Sequence, residues 1–145
     1  MPAAPKKERF LFSVNLLTAN EPTADGRIYP PEVLNKVLER FSKAPTIIVQ
    51  EMNEVERMVK KIPVQLPWMQ QAMADVVKGE IVEGDLVIHA LCRHSREGSK
   101  LEGIIKGIGM ENLRFFPVGY GEIDANKVIK PGYQLNYIAV EPKKR

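Results

Sequence analysis

Glu97-Gly98-Ser99-Lys100-Leu101-Glu102-Gly103-Ile104-Ile105-Lys106-Gly107, running on to Arg114-Phe115-Phe116-Pro117-Val118-Gly119-Tyr120-Gly121, is the stretch on which the reading of this chain turns. Its first part spaces Leu101, Ile104, Ile105 and Ile108 at i, i+3, i+4 and i+7, the period of a helix with one apolar face. Ser95 or Ser99 suits its start, and Gly107 or Gly109 its stop. The second part carries Leu113, Phe115, Val118 and Tyr120, a buried strand that Pro117 interrupts. A helix over about 97–107 and the strand after it are expected to hold the centre of the domain.

Upstream, Arg9 to Leu17 reads as a strand with Phe10, Phe12 and Val14 on one face and Leu11 on the other. Asp25-Gly26 is a tight-turn pair. Pro31 and Glu32 open a helix over about 30–43, because proline needs no N–H at the first position and a carboxylate favours the positive helix end. Its apolar face is Leu34, Val37, Leu38 and Phe41, and Pro45 closes it. Thr46 to Val49 is a short β-branched strand. Residues 50–72 read as a long loop carrying Trp68 and Met69, broken by Pro63 and Pro67. Met73 to Arg93 reads as a hairpin turning at Glu83-Gly84-Asp85. Lys127 to Lys130 is a short strand, and Tyr133 to Val140 the last, with Tyr133, Leu135, Tyr137 and Ala139 on one face.

These elements make an α+β chain: a largely antiparallel sheet of about six strands, able to curl toward a barrel, with two main helices. Residues 1–8, with Pro2 and Pro5, form an extended arm, 9–142 a single domain, and 143–145 a basic tail. The 145 residues suffice for one real core.

A net charge of +3 from 21 basic and 18 acidic residues, partly in Lys6, Lys7, Lys143, Lys144 and Arg145, is too small and scattered for a nucleic-acid footprint. No apolar run spans a bilayer, and the polar N-terminus does not read as a signal peptide. The single cysteine, Cys92, excludes an internal disulfide and reads as a core residue of a protein made in a reducing cytoplasm.

Serine or cysteine hydrolysis needs a nucleophile beside an oriented histidine. Only His89 and His94 are present, one in a hairpin arm and one in a polar turn. Cys92 should point opposite to His89 on a strand, and their spacing with His94 fits no zinc pattern. Gly103, Gly107 and Gly109 do not make a phosphate loop. No metal or other cofactor is expected.

Three segments together resemble the prohead maturation proteases of tailed phages, the family related to the herpesvirus assemblin fold. Asp25-Gly26-Arg27-Ile28-Tyr29-Pro30-Pro31-Glu32-Val33-Leu34 is similar to that family's N-G-R-x-Y-P-x-x-V-L opening. Glu97 to Gly107 is similar to the helix before its nucleophile strand, and Tyr133 to Pro142 to its closing strand. The resemblance implies a nucleophilic serine on the strand after the helix, yet Arg114 to Gly121 contains none. It implies a histidine after the second strand, where Val49-Gln50-Glu51-Met52-Asn53 stands. No catalytic residue is carried over.

The expectation is therefore a non-catalytic virion protein with a protease-like fold: a capsid-bound decoration, cement or minor head protein. Its partners would be the major capsid protein or other virion subunits, with self-association also open. Trp68, Met69, Lys6, Lys7, Lys143, Lys144 and Arg145 are the candidate contact residues. The alternatives are an active maturation protease using Ser95 or Ser99 with His89 or His94, and an unrelated tail or neck interaction domain.

Overall fold

The computed structural model describes residues 9–50 and 72–143. Strand β1 (Leu11–Thr18) is followed by helix α1 (Pro31–Lys43), then β2 (Ile47–Gln50), β3 (Ala72–Val82) and β4 (Asp85–Cys92). Helix α2 (Arg96–Ile108) and a single 3-10 turn, Met110–Asn112, lead to β5 (Leu113–Tyr120) and β6 (Gln134–Pro142). The strands lie in the order β1-β4-β3-β2-β6-β5. Every pairing is antiparallel except β2 with β6. The α+β sheet curls into a half-barrel whose end strands, β1 and β5, approach each other and bring the Phe12 and Phe115 rings together.

Helix α1 starts with Pro31 in its first turn, beside Glu32, and ends with Arg40 and Lys43 in its last. Val33, Leu34 and Val37 are buried, and Leu38 and Phe41 pack at the core margin. A Cβ on Gly79 would sit 2.6 Å from the Phe41 ring, so a glycine in β3 lets the helix close on the sheet. The β3–β4 hairpin turns on Glu83 and Gly84, both with positive φ (50° and 85°), a two-residue turn whose twist matches the strands. Asp85 already pairs with Val82 and belongs to β4.

Five expectations need correction. Helix α2 packs chiefly on β3 and β4, and β5 ends the sheet, so the helix–strand unit is not its centre. Ser95 and Gly109, both among the expected alternatives, cap α2; Gly98, Leu101 and Ile105 are buried and Ile104 packs at the core margin, but Ile108 stays exposed.

Pro117 does not interrupt β5. The Lys143 N–H donates to the Asn112 carbonyl, and Arg114 pairs with Glu141 two residues on. Antiparallel alternation then turns the backbone of Leu113, Phe115 and Pro117 toward the open edge, where a missing N–H costs no ladder bond.

In β6, Val118 pairs with Tyr137 and Gly119 with Leu135, leaving Asn136 as the extra residue of a bulge. Beyond it the phase reverses: Ile138 and Val140 join the core, and Tyr137 and Ala139 take the other face. Residues 127–130 form isolated bridges, Ile28 with Val128 and Ile123 with Ile129, and no strand.

Candidate functional site

On β5 the side chains facing away from the core are Arg114, Phe116 and Val118, opposite Glu141, Ala139 and Tyr137 of β6. Arg114 donates to Glu141 at 2.9 Å, and its guanidinium lies 4.4 Å from the Phe116 ring centre. The Phe116 row continues through Ala139, Val49 of β2 and Ala72 of β3, an apolar line across four strands. This is where the resemblance implies the nucleophile strand, and no serine stands on it.

Two clefts flank β5. One, of about 690 Å³, lies at the seam between β1 and β5 and is edged by Thr18, Glu21, Arg114, Phe116, Glu141 and Lys143. The other, of about 430 Å³, reaches past Arg27 and Tyr29 to Gly119 and Tyr137. Burial raises the Asp25 carboxyl, but the Thr23 hydroxyl and the Arg27 charge outweigh it and hold the group below its ordinary range. Burial pushes the hydroxyls of Tyr29 and Tyr133 up, and their rings meet edge to face at 5.7 Å. Gly119 and Gly121 allow a close approach to the chain's own backbone. A Cβ would come within 2.1 Å of the Gln134 carbonyl oxygen at the first and 2.8 Å of the Tyr133 Cα at the second.

The relocated-nucleophile candidates gather elsewhere. His94, Ser95 and Ser99 share a recess of about 360 Å³ with Cys92. The Ser95 hydroxyl accepts the Gly98 N–H at 3.1 Å and so caps α2. Among the described residues no hydrogen bond joins His94 to either serine. Cys92 is buried in the core, where burial pushes its thiol up to about 11. His89 faces the other side of β4, away from Cys92, as strand alternation requires.

His89 instead meets Ser13, which the sequence did not single out. Ser13 on β1 pairs directly with His89 on β4, and its Oγ lies 2.6 Å from Nδ1. The opposite ring nitrogen, Nε2, lies 3.0 Å from Glu80 Oε1 on β3. An ionised carboxylate only accepts, so Nε2 carries its proton toward Glu80, and in the neutral ring that leaves Nδ1 to accept the Ser13 hydroxyl.

Nearby, Asp75 takes hydrogen bonds from Arg93 at 2.8 and 3.1 Å and from Arg9 at 2.8 Å. The Arg93 bond, then Arg9, holds its carboxyl below the usual range against the opposing effect of burial.

No protein-family profile matches this chain, and no curated protein matches it. Among solved structures, the capsid assembly protease gp21 of bacteriophage T4 superposes with a TM-score of 0.62. The match covers 92% of this chain and 82% of that one, at 17% identity. The fold is prohead-protease-like.

Of the expected contact residues, only Lys143 falls within the described residues. It is exposed at the seam cleft, with its N–H bonded to Asn112. Trp68, Met69, Lys6, Lys7, Lys144 and Arg145 lie outside them, as do the loop expected over most of 50–72 and the span 51–53 that the resemblance pairs with a histidine. Among the described residues no cluster of three His, Cys, Asp or Glu side chains could hold a metal, and no helix is long and apolar enough to cross a membrane.

Proposed function

We propose that this chain is a phage virion protein that binds the capsid shell and keeps a protease-like fold for its surfaces rather than for cleavage at β5. The observation that carries this reading is the outward face of β5. Arg114 there is tied to Glu141 and stacked on Phe116, where the resemblance calls for a nucleophile. An ion pair and an apolar row give a surface for contact and no group to attack a carbonyl. The superposition on a phage capsid assembly protease supports the capsid setting. Within that reading, a decoration, cement or minor head protein is the role that fits, and the seam cleft with Lys143 is the contact surface.

Mass spectrometry of purified particles tests this. The chain is expected in fixed stoichiometry on purified particles, and mature particles from the producing phage that lack it overturn the proposal. Substituting Arg114→Glu and Lys143→Glu together is expected to lower its occupancy on particles while leaving the fold intact.

A further inference from the structure

The line Ser13–His89–Glu80 is used neither by the capsid reading nor by the core. We propose that it is a reactive-serine site that accepts an acyl or phosphonyl group from small activated esters. Three strands assemble it: β1 supplies the hydroxyl, β4 the imidazole and β3 the carboxylate, at 2.6 and 3.0 Å. The chemistry needs each type in this order, because a serine hydroxyl attacks only when an oriented base removes its proton.

The ladder favours the arrangement. The Cys92 N–H donates to the Phe10 carbonyl, so alternation makes Ser13 and His89 a non-hydrogen-bonded pair, the closer kind for side chains. The same alternation turns the Ser13 N–H to the open edge of β1, beside the attacking oxygen, where it can meet a developing oxyanion. The next row on one side is Leu11 with Leu91, an apolar margin suited to a short acyl chain, and on the other Asn15 with Val87. The face is open, so the substrate class is a small ester rather than a group that needs an enclosing pocket.

In the step, Ser13 Oγ bonds to the carbonyl or phosphorus atom while its proton passes to His89 Nδ1. The ester's alkoxide, or fluoride from a fluorophosphonate, leaves with the bonding electron pair and takes up that proton. Water later cleaves the acyl-serine by the same path. Glu80 is a positioning residue: it holds the ring and faces the imidazolium. Among the described residues, Glu80 bonds the ring and Lys78 stands opposite His89 in the ladder, both from β3.

The test is a fluorophosphonate probe on the folded full-length chain, with the adduct mapped by peptide mass spectrometry. The expected adduct is on Ser13, absent in Ser13→Ala and unchanged in Ser99→Ala. His89→Gln should slow its formation about 100-fold. Glu80→Gln should slow it about tenfold, with Glu80→Asp recovering part of the loss. No adduct on the folded wild-type chain, or label spread evenly over other serines, overturns the inference. It stands apart from the capsid reading, since labelling and particle occupancy can each fail alone.

Discussion

The Phe12 and Phe115 rings lie 5.7 Å apart, and they belong to the two strands that end the sheet. Both are buried, so they close by packing what the ladders leave open. Phe115→Ala is expected to cost about 3–5 kcal/mol in denaturant unfolding. A double-mutant cycle with Phe12→Ala should return a coupling of about 0.5–1.5 kcal/mol. Additive losses would mean that the seam is not closed by this contact.

Two glycines of α2 should respond in opposite directions. A Cβ on Gly98 would lie 1.9 Å from the Arg93 carbonyl oxygen, whereas nothing lies within 4 Å of one on Gly103. Gly103→Ala should therefore gain about 0.5–1 kcal/mol from helix propensity. Gly98→Ala should lose about 1–3 kcal/mol, because overlap with backbone outweighs that gain. Thermal melts of the two variants should bracket the parent.

Asp75 sets an acid limit. Its folded carboxyl sits below its ordinary value of 3.8, so its contribution is complete above that pH. It is lost as pH falls below 3.8 and through the lower folded value. Asp75→Asn should cost about 1–2 kcal/mol at neutral pH, between exposed and buried ion pairs, and should flatten the acid limb of stability. An unchanged acid limb would place the pH dependence elsewhere.

Cys92 should be silent until the chain unfolds. Burial lifts its thiol to about 11 from 9.0, and it is the single cysteine. A thiol-reactive disulfide should release no colour at neutral pH and one equivalent in denaturant. Stability tied to this group is intact below pH 9 and declines between 9 and about 11, as the unfolded thiol ionises first.

What the residues disclosed in advance was local. The α1 period, the Pro31 start and the β3–β4 hairpin depend on neighbours within a few residues, and each formed as expected. Pro117 misled because its tolerance depends on which edge its nitrogen faces, a property of the partner strand. The phase of β6 misled because the bulge at Asn136 shows only in the pairing with β5. Ser13 stayed hidden for a like reason. It lies 76 residues from His89, and nothing local says that β1 will lie beside β4. Cys92 and His89, by contrast, fell on opposite faces as strand alternation alone required.

The short strand β2 lies between β3, which follows it in the chain, and β6, which pairs with it in parallel. During translation, one side of β2 therefore stays bare until residues 134–142 have left the ribosome. A nascent chain halted before that point would expose a template for pairing with other chains.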